Sequence, residues 1–405
     1  MGGFLNSIAT SLELGRVRKM NTSAKGIGRA GRMRSGELLA CEGNAVVACR
    51  DEQVLADAVV GGCVEYASGG WPVVVLHEGN DTLLATLRDA CVAHGQRLVE
   101  VDGQGGFYDP LIGLSADDAA SLLFRAAGGV RTVPDDMLAY LRVLTRVLEA
   151  RGYATYVRMV NGCPHARIHE VIARAEAAGA ITAAEAASMR SDVDASTAGR
   201  AAAQRFLVDV VREGVVLPTV AEVDRAVSLA SYVRMGASDV LSIDLGQSAG
   251  ESVVSLVLTE AEDLLRRGFG LQLVLACDTV GARVGERLAA APSSLGWTVA
   301  TRDIARAFAK PDELSRVAAA CGRIAVFSQG LPASEMASAL FGDYDKQDAT
   351  VTTGGYGFGS AFGRGSVSVA TRRERVVQPE EIRGLRGGEF YLLDATSGLF
   401  KGRVG

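Results

Sequence analysis

The sequence has no run of about 20 uninterrupted apolar residues, which excludes a helix that crosses a membrane in the usual way. It has no Cys-x-x-Cys pair among its seven cysteines, at 41, 49, 63, 91, 163, 277 and 321. That spacing excludes a zinc ribbon or thioredoxin-type redox motif and points to buried, reduced thiols. Aromatic residues are scarce at 6%, while 48% of the chain is hydrophobic and 22% charged, a balance that fits a globular α/β protein and excludes a disordered or fibrous one. The net charge of −5 argues against a general nucleic-acid binder. No N-terminal segment shows an apolar core ahead of a small-residue cleavage site, so the expectation is a cytoplasmic protein. A length of 405 residues accommodates one large domain with an insertion, or two domains.

Residues 1–35 stand apart. Seven basic and no acidic residues lie between Arg16 and Arg34, and the segment reads as a flexible basic arm. Its target is open between solvent, DNA, an anionic membrane surface and an acidic partner, the membrane option implying peripheral association. After it, apolar runs at Asn44–Cys49, Trp71–Leu76 and Arg97–Val101 alternate with helical periodicity at Gln53–Ser68 and Asp81–His94. Unalternated apolar strands in β-α-β order predict a parallel sheet covered on both faces. From Ser115 to about residue 214 only helical signals remain: Ser115–Ala127, Asp135–Arg151, His165–Gly179 and one long helix from Thr182 to Glu213. The alternation resumes with strands at Val240–Leu245, Gly270–Cys277, Gly296–Ala300 and Arg323–Ser328, and Gly388–Asp394 closes the set. Neither half alone makes a doubly covered core, so the later strands are expected to rejoin the earlier ones. The expected division is an arm at 1–35, an α/β domain at 36–112 and 215–395, an all-α insertion at 113–214, and a tail at 396–405.

This order of parts resembles the ATPase domain of type IV secretion, or conjugative DNA-transfer, coupling proteins, within the FtsK/HerA-like branch of RecA-fold P-loop ATPases. The resemblance is carried by Ser35-Gly36-Glu37-Leu38-Leu39 ahead of the first strand, Tyr108-Asp109-Pro110-Leu111 ahead of the helical block, Leu241-Ser242-Ile243-Asp244-Leu245, Leu273-Val274-Leu275-Ala276-Cys277-Asp278, and the segment Gln378 to Tyr391 near the end. It implies a RecA-like three-layer α/β core, a Walker A turn after the first strand and a Walker B acid at Asp278. It also implies secretion or DNA-transfer partners and assembly into a homo- or hetero-oligomeric ring.

Against that pattern the phosphate chemistry is missing. A P-loop, G-x-x-x-x-G-K-[ST], wraps phosphates in backbone N–H groups, meets them with lysine and holds magnesium with a hydroxyl. The corresponding turn here reads Cys49-Arg50-Asp51-Glu52-Gln53, with no glycine, lysine or hydroxyl and two added carboxylates. Like charges about 4 Å apart repel by roughly 4 kcal/mol near a protein surface, and Arg50 offsets this only in part. After Asp278 stands Thr279 where the family has the glutamate that polarises the attacking water, and threonine is no general base near neutral pH. The expectation is a degenerate nucleotide site and a pseudo-ATPase, with no cofactor unless the altered site still takes ATP and Mg.

Four other features have weaker readings. The glycines of Gly354–Gly365 do not open a helix and read as a mobile loop or interface hairpin, from which Arg364 would project toward a neighbouring subunit. Cys163, His165 and His169 offer three metal ligands without an evident fourth, and incidental histidines at a helix start are favoured over zinc. His77, beside Glu78 at a strand end, lacks a nucleophile. Arg372, Arg373 and Arg375 lie among Glu374, Glu380 and Glu381 and read as a salt-bridged surface.

Overall fold

The computed structural model describes residues 2–39, 43–104, 106–152, 155–213, 224–235, 239–246, 250–292, 295–308, 310–352 and 366–405. The chain opens with α1 (Gly2–Lys25), β1 (Gly28–Met33) and a 3-10 turn at Ser35–Leu38. It then alternates through β2 (Asn44–Ala48), α2 (Glu52–Ser68), β3 (Val73–His77), α3 (Asp81–Ala93) and β4 (Leu98–Val101). A short β5 (Phe107–Tyr108) leads into the helical block α4 (Ala116–Gly128), α5 (Asp136–Glu149), α6 (Tyr156–Gly162), α7 (His165–Ala177), α8 (Ala183–Ala195) and α9 (Thr197–Arg212). The return runs through β6 (Ala226–Val227), α10 (Leu229–Met235), β7 (Val240–Asp244), α11 (Glu251–Arg266), β8 (Leu271–Ala276), α12 (Ala282–Ala290) and β9 (Leu295–Thr301). The last part comprises α13 (Ile304–Ala307), α14 (Pro311–Ala319), β10 (Cys321–Val326), α15 (Ala333–Leu340), β11 (Asp343–Thr352), β12 (Ser366–Arg375), α16 (Pro379–Arg383), β13 (Glu389–Asp394) and β14 (Gly398–Val404).

Ten strands form one sheet in the order β1-β14-β13-β10-β2-β9-β8-β3-β7-β4. From β10 to β4 every neighbour is parallel, and β13 alone runs against its two partners. The late strands rejoin the early ones as expected, because β2 lies between β10 and β9 and β3 between β8 and β7. Alternate residues of the central strands feed two cores. Val46, Ala48, Val74 and Leu76 face the layer that includes α4, α5 and α11, while Ala45, Val47, Val73 and Val75 face α2 and α3. With both faces buried, these strands read as continuous apolar runs. The result is the expected α/β class: a mostly parallel sheet between two helical layers, interrupted by the helices α4–α9.

The base of that insertion is a buried polar joint. β5 pairs with β6, Tyr108 donates to Glu260 Oε2 on α11 at 2.6 Å, and Glu260 Oε1 accepts from the Ala230 amide at 3.1 Å. Next in sequence, fully buried Asp109 accepts from the Leu111 and Tyr156 amides, both at 3.0 Å, tying the entry turn to α6.

The N-terminal segment corrects the sequence reading. Residues 1–35 were expected as a flexible arm, yet α1 is a helix and β1 is a parallel edge strand on β14. The expected tail at 396–405 supplies β14 itself. The anchor is Asn21, whose side-chain amide both donates to Gln347 O (2.9 Å) and accepts from Gln347 N (2.8 Å), imitating a strand partner for β11. The helix expected from Thr182 to Glu213 is two helices that change direction at Ser196. Gly199 lets the second lie against α5, since a Cβ there would stand 2.4 Å from the Met137 amide nitrogen.

A similar close approach explains the Ser35-Gly36 motif. The 3-10 turn rests on α2 so tightly that a Cβ on Gly61 would lie 2.3 Å from Gly36 Cα. Helix propensity alone favours alanine over glycine inside α2 by about 1 kcal/mol. Backbone-on-backbone overpacking costs about 1–3 kcal/mol or more, so it wins. Gly61→Ala is expected to lower the urea midpoint, and an unchanged or raised midpoint would show that the turn can retreat.

Among the described residues no helix is long and apolar enough to cross a membrane. None of the six described cysteines forms a disulfide and five of them are buried, and burial pushes the Cys163 thiol up to about 11 and Cys49 up to about 12.

Candidate functional site

In an open parallel sheet, ligands meet the carboxyl ends of the strands, where one strand turns into its following helix. Here those ends bring together Arg50 after β2, Glu78 after β3, Asp278 after β8, Arg302 after β9 and Gln329 after β10. Glu52, at the start of α2, and Asp278 line one cleft together with Glu78, Asn80 and Arg302, with a cavity of about 80 Å³. Small-molecule sites usually enclose roughly 300–1,000 Å³, so the enclosed part of this cleft is small by comparison.

The turn is closed by its own side chain. Asp51 is the N-cap of α2, its Oδ1 accepting from the Val54 amide at 3.1 Å. The N-terminal donors of a helix are where a phosphate would otherwise bind, and a carboxylate already holds one of them. Glu52 starts the helix and is exposed, and Gln53 turns away to donate to Asp57 at 2.8 Å. The guanidinium of Arg50 lies toward Gly330, with Nη1 3.4 Å from where a Cβ would be placed there.

Asp278 is engaged on both oxygens. Its Oδ1 accepts from the Arg302 amide (3.1 Å) and Thr301 Oγ1 (3.4 Å), and its Oδ2 from Arg302 Nε (2.9 Å) and Nη2. Arg306 lies 3.8 Å from the same oxygen. The Asp278 amide in turn donates to Glu78 Oε2 at 3.1 Å. Partial burial raises the Glu78 carboxyl above its ordinary value, opposed by that hydrogen bond, and the hydrogen bonds to Asp278 hold the Arg302 guanidinium above its own. Both guanidinium donors share the one oxygen Oδ2 in charge-assisted hydrogen bonds, while the Arg302 amide takes Oδ1. This arrangement leaves Asp278 no uncommitted oxygen for a magnesium-bound water. Thr279 is exposed.

Of the residues singled out in the sequence, Arg50, Asp51, Glu52 and Gln53 follow β2 and Asp278 and Thr279 follow β8, and Glu52 and Asp278 line the common cleft. Sequence reasoning missed Arg302 and buried Gln329, whose Oε1 accepts from the Ile304 amide and whose Nε2 donates to Arg302 O. The signal that could have found them is position, since each lies one to three residues past an apolar strand end. Gly354–Gly365, with Arg364, lies outside the described residues; β11 and β12 on either side pair antiparallel. Arg373 and Arg375 pair with Asp343, and Lys346 with Glu374, the salt-bridged surface expected.

His77 is structural. It is buried, its Nδ1 accepts from the Asn80 amide (3.4 Å), and Nε2 therefore carries the proton shared with Ser242 Oγ (3.0 Å). Burial lowers its pKa against the pull of Asp244, keeping the ring neutral.

No family model and no curated protein matches this sequence. Among solved structures, the chain is similar to VirB4 of Thermoanaerobacter pseudethanolicus (TM-score 0.49, 14% identity, covering 94% of this chain and 96% of that one). It is also similar to the plasmid coupling protein TrwB in complex with the ATP analogue ADPNP (TM-score 0.47, 15% identity, 92% of each chain). The unbound monoclinic form of TrwB gives a TM-score of 0.46 at 14% identity, over 92% of this chain and 91% of that one.

Proposed function

We propose that this protein is a coupling-protein-like subunit of a type IV secretion or conjugation apparatus that has lost ATP hydrolysis and serves as a scaffold or cargo-docking component. The observation that carries the loss of hydrolysis is the closed cleft: Asp51 caps the helix that would receive phosphate, while Arg302 occupies Asp278. The assignment to transfer rests on the order of sequence motifs and on the helical block inserted after Tyr108-Asp109-Pro110. In this reading Arg50, Asp51, Glu52, Gln53, Asp278 and Thr279 are the remnant of a nucleotide site, no cofactor is held, and Arg364 faces a neighbouring subunit in a ring. The helical block offers cargo a groove of about 460 Å³ lined by Arg151, Arg158, Arg167 and Arg174, with Glu170 as its one acidic residue.

A second reading, an active ATP-driven DNA translocase of divergent sequence, draws on one observation: Glu52, at the start of α2, and Asp278 still line a common cleft. Phosphate release measured with Mg-ATP, with and without double-stranded DNA, across a range of protein concentrations that would populate a ring, separates the two. The scaffold reading expects no turnover above background. Turnover that disappears in Asp278→Asn would establish the motor.

A further inference from the structure

The helical block carries a second cluster, far in sequence from the cleft and independent of the function proposed above. His165 and His169 stand one turn apart on α7, and Asp194 projects from the last turn of α8. One ligand atom from each lies within 4.8 Å of the others, the sole such grouping of three among the described residues. Asp194 Oδ1 is 3.0 Å from His169 Nε2 and 3.9 Å from His165 Nε2. The two rings meet edge to face with centroids 4.6 Å apart.

We infer that His165, His169 and Asp194 form a surface binding site for a divalent transition metal, zinc in particular, that clamps α7 to α8. Zinc bonds imidazole nitrogen and carboxylate oxygen at about 2.0–2.2 Å, which places neighbouring ligands of a tetrahedron roughly 3.3 Å apart. The two distances to Asp194 bracket that value, so rotamer adjustment alone completes three corners and leaves the fourth for water. The ion replaces the proton that His169 and Asp194 share. Two imidazoles and one carboxylate suit zinc and do not suit magnesium, which demands oxygen ligands. Cys163 is not part of the site. It is buried, and its carbonyl accepts from Tyr140.

One neighbour opposes the ion. Arg200 Nη1 lies 2.8 Å from His165 Nδ1, which favours a proton on Nε2, the atom that must face the metal. On binding, the guanidinium withdraws and Nδ1 takes the proton. The site is therefore held below its full affinity by Arg200.

Calorimetric titration of Zn²⁺ into the full chain, in excess Mg²⁺, tests this. One equivalent is expected to bind in the micromolar range, with loss of binding in His169→Ala and in His165→Gln. Asp194→Asn should weaken it by about tenfold or more, and Arg200→Ala should strengthen it by about tenfold, the usual scale for groups that orient a ligand. His94→Ala, at an exposed histidine elsewhere on the surface, should leave it unchanged. All five side chains are accessible, and circular dichroism checks that each variant keeps the fold. No one-to-one binding, binding that survives His169→Ala, or no gain in Arg200→Ala would overturn the inference.

Discussion

Replacing Glu260 with alanine is expected to lower stability by about 2–4 kcal/mol, because it strands the Tyr108 hydroxyl and the Ala230 amide in a dry interior. The carboxyl sits where three parts of the chain meet: α11 of the core, the β5 entry to the helical block, and α10 on the way back. Burial raises its pKa from 4.5 to about 8, against the pull of the Tyr108 and Ala230 hydrogen bonds. The sign follows directly. Between those two values the folded state keeps a proton that the unfolded chain releases, so this group's contribution is complete below pH 4.5 and is lost as pH rises to about 8. Glu260→Gln mimics the protonated form and cannot titrate. Its melting temperature should gain steadily on the parent's across that window. A constant difference across the window would mean that Glu260 does not take up a proton on folding.

Asp109→Ala should cost a comparable amount, about 2–4 kcal/mol, since two backbone donors, Leu111 N and Tyr156 N, lose their only buried acceptor in this contact. Asp109→Asn keeps one acceptor oxygen and should cost roughly half as much. Burial lifts this carboxyl from 3.8 to about 6, so its contribution is present below pH 3.8 and lost as pH rises to about 6. Equilibrium urea unfolding of both variants checks the order. Equal losses would show that one of the two contacts carries no weight. The Tyr108-Asp109-Pro110 segment therefore has a physical reason for its residues: it fastens the insertion to the sheet.

The sheet was legible where burial on both faces demanded an apolar run, as at Val73–His77 and Leu271–Ala276. It was not legible at β1, whose Gly28-Arg-Ala-Gly-Arg-Met33 sequence lies at an edge and pairs with β14, some 370 residues away in the chain. An edge strand needs no two-sided burial, and glycine and arginine leave no period to read. The break between α8 and α9 was hidden for a related reason. The second helix packs on α5 through the approach of Gly199 to the Met137 backbone, a contact made across the fold. In the cleft, Asp51, Glu52 and Asp278 could be placed from strand ends alone, because the turn after each strand is fixed by local order. Arg302 could not, since an arginine past a strand looks like any solvated arginine until β9 is seen to lie between β2 and β8. The metal cluster divides the same way: the four-residue spacing of His165 and His169 is visible in the sequence, and Asp194 comes from another helix.

Calorimetric titration of Mg-ATP into the full chain tests the proposed loss of the nucleotide site most directly. The closed turn and the Arg302–Asp278 pair lead us to expect no binding heat and no rise in melting temperature at millimolar nucleotide. Saturable binding at one site per chain, abolished in Asp278→Ala, would contradict it.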